Sequence, residues 1–511
     1  MSDLAENILR MDQEGDHMGI MKYVPESGAS PTDIIYPIYL LLKKNSFYSA
    51  YILFKFIEKF DISNIVCPLA QCIGGMLFNN RDDEANGVAK LRAISPFIDQ
   101  EHMKLLYKDL LEPVVRQLTT MGQARQDRDF ILRTLEIMKA AFPPFHHIFN
   151  WDEPIRDLDI EAIRRDGQQN ARLIQYDEPP AEARQLRRRA VVATRELMFP
   201  NQPWSRPLDI GPRIVEAMSI YGWDSHFFGM QWSNLIEDYE GAAALCRQLQ
   251  ADVLVLDDHM IESEGARMVR ASIISALRQD MPNLKIVGAH FDTWALDQNV
   301  LIEASKLIDI VWDATSPSLP TWDDPSLTNK VLHCPYPHAV PVEVSPEIVR
   351  SQMSFSGSVK GYNWHRAFWL AAAERFYLPI EQQLSTHTVD GLPVLESYGN
   401  YMERLAESTC SLNFSMRPDL SCIVTGRSFE TPYAGALQVQ EVSPDMEYYF
   451  TVGEHYLVFE TFADLRSILR FTSERKEEAE EIRRRGADFA RTRYSDEKII
   501  GYLDYMLHYQ V

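Results

Sequence analysis

From Ala190 onward, short apolar runs alternate with amphipathic helical ones, and no other feature of the sequence constrains the fold as strongly. RAVVATRE, DSHFFGM, ADVLVLDD, LKIVGAH and DIVWDAT read as buried strands, with helical runs such as IGPRIVEAMSIYG and ARMVRASIISALRQ between them. Strands joined through helices pair in parallel, and the helices cover both faces of the sheet. A doubly wound, Rossmann-like α/β lobe is therefore expected over 190–341. CPYPHAVPVEVSP, with four prolines, then interrupts the rhythm as a hinge. A second series (SQMSFSGSVKGYN, LPIEQQLSTH, CSLNFSM, SCIVTG, ALQVQE and HYLVF) predicts a second lobe over 342–511, closed by ERKEEAEEIRRRGADFARTR and a last helix.

Residues 1–150 have a different period. NSFYSAYILFKFIEKF, EHMKLLYKDLLEPVVRQL and DRDFILRTLEIMKAAF repeat their apolar residues at three and four, which predicts an all-helical domain without a clean repeat length. Residues 151–189, containing DEPPAEARQLRRR, have the composition of a connector. In a doubly wound sheet ligands bind at the carboxyl ends of the strands, so the cleft between the lobes is the expected site.

Composition excludes some functions. With 73 acidic against 51 basic side chains the formal net charge is -22, so a broad electrostatic grip on nucleic acid is not expected and any phosphate must be met locally. Six scattered cysteines without metal-type spacing suit reduced, buried thiols and a cytoplasmic location. The acidic N-terminus does not read as a signal peptide, and IIYPIYLLLKK is too short to cross a bilayer, so no transmembrane segment is expected.

The most informative stretch is TGRSFETPYAGALQVQE, read as strand, turn and helix start. Gly426 and Arg427 sit where a helix N-terminus and a guanidinium can meet an anion, and Glu430 offers a carboxylate to a pair of hydroxyls. An Arg427–Glu430 ion pair on the helix surface is the alternative use of the same spacing. In FSGSVKGYNWHRAF, Gly357 and Ser358 can present backbone N–H groups, with Lys360 and Arg366 as nearby charge.

The segment GRSFETPYAGALQVQEVSPDMEYYFTVGEHYLVFETFADLRSIL resembles the C-terminal lobe of GT-B glycosyltransferases, most closely the spore-maturation CgeB-like branch of family-one transferases. It has an R-x-x-E pair, a small-residue turn, an acidic strand end, a G-E before an apolar strand and an acidic helix start, in that order. The resemblance covers roughly Phe355 to Ser495 and, by strand order, Ala190 to Pro341. It implies transfer of a sugar from a nucleotide-diphosphate sugar, with the acceptor on the first lobe and the donor on the second. It needs no metal and no cofactor beyond that co-substrate. It places the diphosphate at Gly357, Ser358, Gly426 and Arg427, the ribose at Glu430, the base beside Tyr433, and close backbone approach at Gly435.

In the E-x7-E pattern of retaining GT-B enzymes the first glutamate falls on Cys422, which removes the sugar-facing carboxylate and favours inversion. Inversion needs an acceptor-side base, and the first lobe offers His290 with Asp292, or Asp258 and His259 beside Asp257. The same family pattern contains acidic positions at Glu447 and Glu454. In GT-B folds the last helix, Ile499 to Leu507 here, crosses back to the first lobe. The acceptor, whether glycan, protein or small molecule, is not legible, and the helical domain is the natural place for a protein partner. A GT-B-like nucleotide-sugar epimerase and a non-catalytic helical scaffold with a degenerate transferase module are the competing readings.

Overall fold

The computed structural model describes residues 3–60, 64–179, 187–198, 206–207, 209–231, 235–257, 264–290, 297–314, 316–339, 351–359, 363–384, 388–389, 392–393 and 397–509. The described residues up to Asn170 form helices and no strand. The first sheet contains β1 (Arg189–Arg195), β2 (Asp224–Met230), β3 (Val253–Asp257), β4 (Lys285–His290), β5 (Ile310–Asp313) and β6 (Val331–His333), in the order β2-β1-β3-β4-β5-β6. The second contains β7 (Ser351–Gly357), β8 (Ile380–Leu384), β9 (Ser408–Asn413), β10 (Leu437–Glu441) and β11 (Tyr456–Phe459), in the order β8-β7-β9-β10-β11. Every neighbouring pair in both sheets is parallel.

Two local readings need correction. SCIVTG is not a strand. Met416 and Cys422 form an isolated antiparallel bridge, the Arg417 N–H donates to the Ser421 carbonyl at 2.8 Å, and Leu420 takes a φ of 68°. The chain after β9 therefore doubles back on itself instead of adding to the sheet. Val331–His333 is a strand that the apolar pattern did not signal, because three residues are too few to show a period.

A parallel sheet must cover both faces, and here the cover of the second sheet comes partly from the N-terminal helices. Helix His365–Arg375 is buried at every position from His365 to Ala373, and apart from His365 and Arg366 those positions are apolar on every side. It lies between the sheet and the helical region: Phe145 stacks near Trp364 at 6.1 Å between ring centroids, and Phe149 meets Trp369 at 4.8 Å. Polar contacts fix the register. The Trp364 indole donates to Glu112 Oε1 at 3.0 Å, and Gln123 Nε2 donates to the Val359 carbonyl at 2.7 Å. Helical region and second sheet share one core.

The last helix, Asp496–Tyr509, packs on helix Ile210–Tyr221 of the first sheet, where Arg188 Nε reaches Asp504 at 2.7 Å. Ile499, Leu503 and Leu507 belong to a core that also holds Val192, Val255 and Trp312 of the first sheet and Phe429 and Tyr449 of the second lobe.

Because Phe149 lies in the shared core, Phe149→Ala should cost about 3–5 kcal/mol. It should lower the unfolding of the helical region and the second lobe together in a denaturant titration followed by circular dichroism and hydrogen exchange. A helical region that melts early while amides of β9 and β10 keep full protection would contradict the shared core.

Candidate functional site

At the carboxyl edge of the second sheet two backbone corners meet. One is the end of β7 at Gly357; the other is the start of helix Arg427–Ala434, with Gly426 as its N-terminal flank and exposed. Arg427 joins them: Nη1 donates to the Ser356 carbonyl, and the guanidinium lies 5.8 Å from the centre of the Phe355 ring. Its Nε is buried without a hydrogen-bond partner. Gly357 has a φ of 152°, a backbone conformation that favours glycine, and a Cβ there would push the Arg427 guanidinium aside. Arg366, 2% exposed, donates Nη1 to the Ser358 carbonyl at 3.1 Å.

Arg427 and Glu430 do not form an ion pair. The Glu430 carboxylate accepts instead from the Tyr398 hydroxyl at 3.2 Å on one oxygen and from the Tyr401 hydroxyl at 2.9 Å on the other. Burial, with the Glu430 charge adding to it, pushes both phenols well above their usual pKa, so they stay protonated and donate. Each carboxylate oxygen keeps a lone pair for a further donor.

The helix start is held from behind by a buried polar network. Asn413 Nδ2 donates to Ser428 Oγ at 2.9 Å and to Gln440 Oε1 at 2.7 Å, and Thr425 Oγ1 donates to Asn413 Oδ1 at 3.2 Å. Glu441, at the end of β10, accepts the backbone N–H groups of Ser415 and Met416, both at 2.8 Å. Burial pushes its carboxyl upward, opposed by those two donors and by Arg366 and Arg417. This carboxylate turns the chain after Asn413 back toward Gly426. Cys422 sits in that loop, and burial pushes its thiol up to about 12, so it is neutral.

On the first sheet, strand register sets polar residues side by side: His290 opposite Asp313, and Asp313 opposite His333. His290 is 1% exposed and its carbonyl accepts from Tyr336 at 2.8 Å. His333 Nδ1 lies 3.0 Å from Asp313 Oδ2. Asp257 is the ion-pair partner of Arg195, with Nε at 2.8 Å.

Three contacts tie this side to the second lobe. The Arg213 guanidinium lies 3.7 Å from the centre of the Tyr398 ring. His338 is packed on Tyr433 at 4.1 Å between centroids, its Nδ1 is 3.0 Å from the Tyr398 hydroxyl, and its backbone N–H donates to Asp496 at 2.7 Å. Since the Tyr398 proton goes to Glu430, His338 donates Nδ1–H to the tyrosine oxygen. Burial, reinforced by Arg213, pushes His338 down to about 3, so the ring is neutral. Third, burial pushes the carboxyl of Asp445 upward, opposed by Ser318 and His333 of the first-lobe side.

The structure thus brings Gly357, Ser358, Arg366, Gly426, Arg427 and Glu430 to one edge of the second sheet, with Tyr433 on the same helix against His338. Gly435 lies at the other end of that helix, in a left-handed conformation at φ 93°, which explains the glycine without any ligand. Glu447 and Glu454 face the helical side: Glu447 lies 3.8 Å from Arg172, and Glu454 accepts from Gln168 at 3.3 Å. Tyr449 and Phe450 are core residues. Asp258, His259, Asp292 and Lys360 lie outside the described residues. Tyr398, Tyr401, Arg213, His338 and Asp313 were not singled out from sequence. They are distant from the motif in the chain, and only the Pro-rich setting of His338 marked it.

Residues 360–503 match the sequence profile of a family described as glycosyl transferase-like. The two adjoining parallel α/β lobes, after an all-helical region, are a GT-B-like arrangement. Among solved structures, the HepE protein of Anabaena in complex with UDP and glucose is similar over 63% of this chain and 100% of its own, at 10% identity and a TM-score of 0.40. A sucrose-phosphate synthase from Thermosynechococcus elongatus is similar over 63% of this chain and 98% of its own, at 11% identity and a TM-score of 0.42. A glycosyltransferase from Rickettsia africae is similar over 64% of this chain and 100% of its own, at 8% identity and a TM-score of 0.42. No curated protein sequence matches significantly. Among the described residues, no helix is long and apolar enough to cross a membrane.

Glu441→Ala would leave the Ser415 and Met416 N–H groups buried without an acceptor, at about 1–3 kcal/mol each. Urea denaturation should show that loss, and hydrogen exchange should show early opening of residues 415–423. Full stability in the variant would mean that the loop holds itself.

Proposed function

We propose that the protein is a glycosyltransferase that takes a sugar from a nucleotide-diphosphate sugar and passes it to a hydroxyl acceptor. The observation that carries this is the corner at Arg427. Within a glycosyl transferase-like segment, an arginine at a helix start turns away from its neighbouring glutamate and spans to the glycine end of the opposite strand. Those parts suit a diphosphate: the N–H groups of Gly426 and Arg427 ahead of the first helical turn, a guanidinium and a strand end with no side chain. Glu430, held by two phenols, is suited to take the ribose hydroxyls with its remaining lone pairs. Tyr433 and its His338 partner offer a flat surface to the base. The CgeB-like affinity is part of this reading and rests on the order of motifs from Arg427 to the acidic start of helix Phe462–Glu474.

In the reaction the acceptor oxygen attacks the anomeric carbon, the bond from that carbon to the diphosphate oxygen breaks, and its electron pair leaves with the diphosphate. Arg427 and the helix start meet the growing charge, so the step calls for no metal. The acceptor proton passes to a first-lobe base, His290 or Asp258. Cys422, a neutral thiol, supplies no carboxylate at the donor sugar, which favours inversion.

Arg427→Ala should weaken UDP binding by about 1.5–3 kcal/mol, roughly 10- to 150-fold, measured by calorimetry on the folded variant. Unchanged affinity would remove Arg427 from the donor site. Donor hydrolysis assayed across UDP, GDP and dTDP sugars separates an enzyme from a scaffold that only binds.

The anomeric configuration of the product, read by proton NMR, should be opposite to that of the donor. A product that keeps the configuration would overturn the argument from Cys422.

A further inference from the structure

We propose that a cavity at the free edge of the first sheet is a saccharide-binding site, separate from the corner at Arg427. The cavity encloses about 310 Å³ and is bounded by the edge strand β6, the segment Ile174–Asp177 and the last helix. That is the lower end of the ~300–1,000 Å³ usual for small-ligand pockets.

The chemistry of its walls is specific. Trp322 is half-buried, and its indole N–H is already given to the Ser316 carbonyl at 2.9 Å, so the residue offers ring surface. Across the cavity, Tyr176 gives its hydroxyl to the His333 carbonyl at 2.6 Å, and its ring stacks on Tyr502 at 4.3 Å. At the rim Asp177 and Asn329 are exposed, and Tyr505 also lines the cavity. Among the described residues lining the cavity there is no lysine or arginine. A phosphorylated or otherwise anionic ligand would meet the Asp177 carboxylate, while the Arg493 guanidinium behind the wall is already given to the Ile174 carbonyl and lies over the Tyr176 ring.

A ligand that suits these walls is uncharged, has an apolar C–H face to lie against aromatic rings, and carries hydroxyls around its edge for a carboxylate and an amide. A neutral saccharide has all three properties. The site stands apart from the proposed transfer reaction and does not depend on it. On an enzyme that glycosylates a glycan it would hold the chain away from the reacting end.

The test is calorimetric titration of the full chain with maltotriose, cellotriose and chitotriose, with and without saturating UDP. At least one trisaccharide should bind in about the millimolar range and still bind with UDP present. Trp322→Leu should weaken that binding by about tenfold or more. Asn329→Gly keeps the left-handed backbone that Asn329 adopts at φ 61° and removes only the amide. It should weaken binding about three- to tenfold and decides the matter if Trp322→Leu fails to fold. Binding of none of the three sugars, full displacement by UDP, or unaltered affinity in the folded variants would each overturn the proposal.

Discussion

An all-parallel sheet cannot leave a face in water, and the arrangement of this protein follows from how its second sheet is covered. Helix His365–Arg375 lies directly on that sheet, and its own outer face is apolar, so it needs a cover in turn. The N-terminal helices provide it through Phe145, Phe149 and the Trp364–Glu112 hydrogen bond. A further consequence reaches the candidate site. Arg366, on the first turn of that buried helix, is held where its guanidinium meets the Ser358 carbonyl. Gln123, from the helical region, holds the next carbonyl, that of Val359. The loop after β7 is thus shaped from both sides by groups that the N-terminal helices bury or supply.

The second organising element is a pair of carboxylates, Glu441 buried and Asp496 half-buried, each gathering backbone N–H groups where the chain turns. Glu441 folds the chain after β9 back on itself, and Asp496 caps two N–H groups at His338 and Ala339, where Ala339 has a φ of 49°. A carboxylate in such a place is costly to bury, and the backbone donors it gathers offset that cost. Asp496 is also the first residue of the last helix, so the helix that closes on the first lobe fixes the segment leading out of it. Tyr398 then connects the two lobes, with its ring under Arg213 and its hydroxyl between His338 and Glu430.

Much of this could be read directly from residue order. The alternation of strand and helix after Ala190 determined two parallel lobes, because a strand that returns through a crossover helix re-enters its sheet in the same direction, and the three-and-four period before residue 150 determined an all-helical region. The grouping of Gly426, Arg427 and Glu430 at a helix start was legible because local spacing places them on one turn. What only the tertiary structure decided is where each side chain turns. Whether Arg427 pairs with Glu430 or spans to Ser356 depends on β7, some 70 residues earlier in the chain. Whether SCIVTG becomes a strand depends on the turn before it: Glu441 holds the N–H groups of Ser415 and Met416, and the chain folds back so that Arg417 and Ile423 bond within the loop to Ser421 and Ser415. Gly435, expected as a point of close backbone approach, also closes its helix in a left-handed conformation, a role its neighbours in sequence did not single out. Local periodicity is written within a few residues of itself, whereas a hydrogen-bond partner is chosen among groups that only folding brings together.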